Sequence, residues 1–250
     1  GRADNGSIVP DVVINEVLAH SDPPLEDAIE LRNLTAAQVD VSGWYLSDAQ
    51  RTLRKFRIPD GTILSANGYA VFYEYQFNVD PLRNPLAFAL SGDRGDEVHL
   101  ASTDAGGTLT GYRSVVKFGA SDPGASFGRY VTSDHREEFV LLSARTFGAD
   151  DPSSVEEFRQ GHGATNAYPK VGPVAISEIM YHPPDLDTND NVRDEFIELH
   201  NITTAPVELF DTSLPPNVWH LRDAVDFDFP PGTVVAPGDY LLVVSFDPVL

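Results

Sequence analysis

One pattern occurs twice along this chain. Val13-Ile14-Asn15-Glu16-Val17-Leu18-Ala19-His20 returns as Ala175-Ile176-Ser177-Glu178-Ile179-Met180-Tyr181-His182. Ala28-Ile29-Glu30-Leu31-Arg32-Asn33-Leu34-Thr35 returns as Phe196-Ile197-Glu198-Leu199-His200-Asn201-Ile202-Thr203. Further on, Asp60-Gly61-Thr62-Ile63-Leu64-Ser65-Ala66-Asn67-Gly68-Tyr69 returns as Pro231-Gly232-Thr233-Val234-Val235-Ala236-Pro237-Gly238-Asp239-Tyr240. Several blocks kept in one order mark a duplicated domain. The 250 residues therefore divide into two copies, 10–148 and 173–250, joined by 149–172. Within that join, 160–169 is small, polar and unpatterned, and reads as a linker.

Both copies read as all-β. Short β-branched and aromatic runs are separated by Gly, Pro, Asn and Asp clusters. The first copy is expected to form strands at 12–18, 28–32, 39–41, 44–46, 53–58, 69–72, 86–90, 97–100, 115–118 and 139–142. The best helix candidate is 152–159, with Asp151 as its cap. Alternation along 28–32 puts Ile29 and Leu31 on one face and Glu30 and Arg32 on the other, as expected of a sandwich with one buried and one wetter face. Trp44 and Trp219 hold equivalent places and read as core plugs. Residues 211–217 have no counterpart in the first copy and read as an inserted loop. The first copy continues well beyond Tyr69, whereas little follows Tyr240. The second sandwich is therefore expected to lack its last strands, expose an unpaired edge or open core, and cover it by pairing with the first domain or another chain.

Composition narrows the function classes. The net charge is −21, from 38 acidic and 17 basic residues, which repels nucleic-acid phosphates and anionic membranes. The densest basic stretch, 51–57, reads as an exposed strand edge or face. The absence of cysteine removes disulfides, thiolate metal sites and a cysteine nucleophile. No apolar run reaches the length of a membrane span, so direct membrane insertion is not expected. The chain begins Gly1-Arg2-Ala3-Asp4 and reads as a processed or excised fragment.

The ordered motifs are similar to those of bacterial lamin tail domains. In the first copy they are Ile14-Asn15-Glu16-Val17, Ile29-Glu30-Leu31-Arg32-Asn33, Val39-Asp40-Val41-Ser42-Gly43-Trp44-Tyr45-Leu46-Ser47-Asp48 and Pro59-Asp60-Gly61-Thr62. In the second they run from Ile176-Ser177-Glu178-Ile179-Met180-Tyr181 to Pro230-Pro231-Gly232-Thr233. The resemblance implies tandem immunoglobulin-like β-sandwiches, the second incomplete. It implies no catalytic residues and no obligate cofactor, and a place in a large secreted or surface protein, often beside enzymatic domains.

Few residues stand out as chemistry. Glu16, Glu178, Glu30 and Glu198 recur in pairs and read as hydrogen-bond acceptors at strand ends or bulges. Asp185, Asp187 and Asn189, with Glu195 beyond them, are the calcium candidates, because oxygen donors at alternate positions suit that ion. Asp190 and Phe196 stand where an EF-hand would place its glycine and bidentate glutamate, so a solvated acidic loop competes with that reading. His20 and His182 lack zinc spacing. Asn33-Leu34-Thr35 and Asn201-Ile202-Thr203 fit a glycosylation pattern but read better as turn chemistry. The leading expectation is a non-catalytic binding or spacer module with a protein or glycan ligand. The alternatives are an accessory pair for an extracellular enzyme and a calcium-dependent adhesion module.

Overall fold

The computed structural model describes residues 12–185, 190–222 and 224–246. They form two units, Gly1–Lys170 and Val171–Leu250. In the first unit the strands are β1 (Val12–Leu18), β2 (Ala28–Asn33), β3 (Val39–Asp40), β4 (Tyr45–Ser47), β5 (Phe56–Arg57), β6 (Ile63–Leu64), β7 (Tyr69–Tyr73), β8 (Asp96–Thr103), β9 (Leu109–Phe118), β10 (Ser126–Val131) and β11 (Glu137–Leu141). Two single-turn helices, α1 (Glu74–Phe77) and α2 (Val155–Phe158), interrupt them.

The first unit is an immunoglobulin-like sandwich. One sheet has the order β11-β10-β1-β2-β7, the other β5-β4-β8-β9, and β3 and β6 form a separate ribbon. Val12, Ile14, Val17, Ile29, Leu31 and Phe72 from the first sheet meet Leu46, Val98, Leu100, Val116 and Phe118 from the second. Period-two alternation delivers this layer, except at one place in β1. Ile14 pairs with Leu31 and Glu16 with Glu30, so Asn15 is an extra residue, a β-bulge. The bulge lets Ile14 and Val17, three positions apart, share the core face.

The five-stranded sheet is covered on its other face as well, which differs from the expected wet face. Leu18, Ala28 and Tyr73 pack there against Phe147 and Phe158. The Tyr73 ring lies 5.2 Å from that of Phe158, and the Tyr73 hydroxyl donates to the Gly161 carbonyl at 3.0 Å. Of the stretch 149–172 expected to join the copies, residues 149–170 are therefore part of the first unit. The segment is polar overall because one side faces water, while Phe158 on α2 is fully buried. The helix falls within the expected 152–159, but its cap is Ser154, whose side chain accepts from the Glu157 amide, and not Asp151.

Other strand expectations shift in detail. The 86–90 run is irregular, although Phe88 and Leu90 enter the core. Its backbone is satisfied outside a ladder, since the Leu90 amide donates to Asp27 Oδ2 at 2.8 Å. Strand β10 was not legible because Gly128 interrupts its apolar pattern.

The second unit contains β12 (Val174–Met180), β13 (Phe196–Asn201), β14 (Val207–Glu208), β15 (His220–Leu221), β16 (Phe227–Asp228), β17 (Val234–Val235) and β18 (Tyr240–Val244). These correspond in order to β1 through β7. The sheet is β12-β13-β18, with ribbons β14-β17 and β15-β16. The bulge returns in register: Ile176 pairs with Leu199 and Glu178 with Glu198, leaving Ser177 extra. A smaller core of Leu199, Leu209, Phe229, Val235 and Val243 holds the unit. Among the described residues it has no counterparts of β8 to β11, and the outer edge of β12 carries no strand.

That difference overturns one expected core plug. Trp44 packs against the first core, its ring 6.0 Å from Tyr112 on β9. Among the described residues Trp219 has no such strand beside it, and it is 43% exposed.

Candidate functional site

The most concentrated chemistry lies on the second-face layer of the first unit. Glu16 and Glu30 are cross-strand partners, both fully buried. Glu16 is held by Ser126 Oγ at 2.6 Å, by the Thr146 amide and by Thr146 Oγ1 at 2.6 Å. Glu30 receives Asn15 Nδ2 at 2.5 Å and the Ala164 amide at 3.3 Å. Asn166 ties the bulge to the neighbouring strand: its Nδ2 donates to the carbonyls of Asn15 and Arg129, and its Oδ1 accepts from Asn15 Nδ2.

Burial raises both carboxyls, because the charged form loses water. Glu30 is raised to about 9, chiefly by burial and further by the nearby Glu16, against the hydrogen bonds from Asn15 and the Ala164 amide. Glu30 is thus a neutral acid at neutral pH. Asp27, bonded by the Leu90 amide and Ser21 Oγ, is raised by burial to about 6. The groups form hydrogen-bonded struts between strands and the covering segment.

The equivalent residues of the second unit stand in the open. Glu178 is exposed and Glu198 half-buried. Ser177 Oγ, at the bulge, donates to Glu198 Oε1 at 2.7 Å.

The calcium candidates are only partly described. Asp187 and Asn189 lie outside the described residues. Asp185 is exposed and its carboxylate comes together with His182 and Asp190, their ligand atoms within 4.8 Å of one another. Glu195 is not in that group. Calcium takes six to eight oxygens and avoids imidazole, so these three side chains by themselves are not a calcium cage.

The remaining motifs resolve into structure. Asn33 and Asn201 are fully buried, and each Nδ2 serves the carbonyls of its own turn and of the chain facing it, at Ala37 and Ser65 in one copy and Ala205 and Ala236 in the other. Each Oδ1 accepts from the threonine two residues on, Thr35 or Thr203. His20 Nδ1 lies 2.6 Å from the Ser121 carbonyl. The basic 51–57 stretch is split into local pairs, Lys55 with Asp48 and Arg57 with Asp60. Gly124-Ala125-Ser126-Phe127-Gly128 has the Gly-x-Ser-x-Gly spacing of a hydrolase nucleophile, but a nucleophile elbow joins a strand to a helix. Ser126 instead begins a strand, is buried, and gives its proton to Glu16. Beside it lies a cavity of about 200 Å³, whose Arg145 is engaged by the Gly124 and Asp150 carbonyls and whose Lys170 is engaged by Asp122.

Sequence reasoning found both glutamates and missed their partners Ser126, Thr146, Ala164 and Asn166. One signal was present. Gly163 has φ +90°, and a Cβ there would sit 2.4 Å from Glu30 Oε2. The glycines of the supposed linker mark close backbone approach, not looseness.

Comparison with known proteins comes to one family. The model of the Lamin Tail Domain matches residues 6–116 and 168–248. No curated protein and no solved structure matches the chain.

Proposed function

Since the chain belongs to the lamin tail domain family, an immunoglobulin-like family not known to be catalytic, we propose that it is a non-catalytic binding and spacer module. The module belongs to a larger secreted or cell-surface bacterial protein, and its ligand is a protein or glycan. The observation that carries this reading is the fate of the duplicated glutamates. In the first unit Glu16 and Glu30 have no exposed surface and their oxygens are occupied by the fold's own donors. General acid–base work needs a group within reach of a substrate proton. The charge of −21 favours protein or glycan partners over nucleic acid.

The test immobilises the intact chain and probes it with peptide and glycan arrays, alongside chromogenic ester, glycoside and phosphate substrates. Saturable binding without turnover is expected. Turnover that disappears in Glu16→Gln while the fold is retained would refute the non-catalytic reading.

A further inference from the structure

Aspartate is followed by proline five times in this chain, at 22–23, 80–81, 122–123, 151–152 and 247–248. The fifth pair lies outside the described residues. An Asp-Pro bond is open to attack by its own side chain. The carboxyl closes a five-membered ring on the carbonyl carbon, and the proline nitrogen leaves as a secondary amine. Local geometry distinguishes one of the four described bonds from the rest.

Asp80 stands apart first in its backbone, with φ +49°, a left-handed conformation that Asp22, Asp122 and Asp151 do not share. A side-chain-bearing residue held there ahead of a proline is strained. It stands apart also in its carbonyl oxygen, which accepts two backbone amides, from Arg83 at 2.9 Å and from Asn84 at 2.8 Å. The Asp22 and Asp122 carbonyls each accept one, from Leu25 and Ala125, and that of Asp151 accepts none among the described residues. Paired amides on one oxygen are the arrangement that stabilises an oxyanion. The nucleophile is free as well. The Asp80 carboxylate is exposed and has no hydrogen bond or ion pair among the described residues, whereas that of Asp122 is tied to Lys170 at 2.9 Å. Both ends of this loop are clamped in the core. Phe77 and Phe88 stack with ring centroids 4.8 Å apart, and the Phe88 amide donates to the Phe77 carbonyl at 3.3 Å. The clamp keeps the turn at Asp80 from relaxing.

We propose that the first unit cleaves its own backbone between Asp80 and Pro81. In its protonated form the Asp80 carboxyl attacks the Asp80 carbonyl carbon. A carbon–oxygen bond forms, the carbon–nitrogen bond to Pro81 breaks, and the carboxyl proton passes to the proline nitrogen. The product is a cyclic anhydride at Asp80, which one water opens to two carboxyl groups. The Arg83 and Asn84 amides hold the charge that develops on the carbonyl oxygen, and the strain at Asp80 is released as the bond opens. The step uses the carboxyl proton, so acid accelerates it. It happens once per molecule and is independent of the binding-module reading. On either side, β7 and β8 remain paired in separate sheets, so the cut chain stays together until it is denatured.

The experiment incubates the intact purified chain with protease inhibitors in mildly acidic buffer and follows denatured samples by mass spectrometry. Fragments 1–80 and 81–250 are expected, formed about tenfold faster than any product of the other Asp-Pro bonds in the same molecule. That advantage should vanish in urea, where the turn is lost. Asp80→Asn, at an exposed position, should abolish the cut. Arg83→Pro, which deletes one of the two amides, should slow it about tenfold, with both variants retaining the melting temperature of the parent. No cut at 80–81 overturns the proposal. Equal rates at all the Asp-Pro bonds, or an equal rate with and without urea, also overturn it, because the fold then contributes nothing. A cut that persists in Asp80→Asn overturns it in favour of a contaminating protease.

Discussion

Glu16 and Glu178 follow the same bulge and face the same cross-strand partner, Glu30 in one copy and Glu198 in the other, yet Glu16 is fully buried and Glu178 lies in water. The local sequence around the two is nearly the same. What differs is the cover: β10, Thr146 and the 161–166 segment close over the first and have no described counterpart over the second. A buried carboxylate needs donors, and in this chain those donors come from residues more than a hundred positions away.

Titration of Glu30 makes the first unit sensitive to pH. Its carboxyl is held near 9 in the fold against 4.5 when unfolded, so the folded state binds the extra proton between those values. Stability from this group is complete below 4.5 and is lost as pH rises through 9. Glu16 and Asp27, also raised by burial, act in the same direction. Urea denaturation across this range should show the first unit weakening toward alkaline pH, with a shallower slope in Glu30→Gln. Parallel slopes for the two proteins would contradict the assignment.

Phe158 tests whether 149–170 belongs to the fold. Its ring is enclosed by Leu18, Tyr73 and Phe147. Phe158→Ala should cost the first unit about 3–5 kcal/mol, the usual loss for an emptied aromatic site. A change below about 1 kcal/mol, as for a true linker, would count against the packing.

The paired asparagines make a matched experiment. Asn33→Ala and Asn201→Ala each remove the donor that serves the carbonyls at 65 and 236 respectively. Each should destabilise its own unit by about 2 kcal/mol, because a buried carbonyl left unpaired loses its water without replacement. Two resolved denaturation transitions would shift one at a time; a common shift in both would argue against independent turns.

The two tryptophans report the different surroundings of the described copies directly. Trp44 lies against the core and Trp219 is 43% exposed. With Trp219→Phe and Trp44→Phe variants isolating each emitter, acrylamide should quench Trp219 more strongly and its emission should lie further to the red. Equal quenching would place both in similar surroundings.

The acidic turn can be tested with the ion itself. Among the described residues, Asp185 and Asp190 are the carboxylates beside His182, and they alone supply too few hard oxygens for tight calcium binding. Calorimetry with calcium against a chelated control should give no heat and no shift in melting temperature at millimolar ion. A clear exotherm lost in Asp185→Asn would reverse that expectation.

Taken by itself, the sequence determined the duplication, the all-β class and the repeated elements, because period-two alternation and turn residues act over a few neighbours. It also marked Glu16, Glu30 and Asn33 as places with a purpose, since both copies keep them. Only the tertiary structure decided what those groups do. Whether a carboxylate is a buried strut or a wet side chain depends on which distant segment lies over it, and whether a tryptophan plugs a core depends on a strand that pairs from far along the chain. Segment 149–170 looked loose because its packing runs through one phenylalanine, two close-approach glycines and backbone amides, none of which leaves a periodic trace.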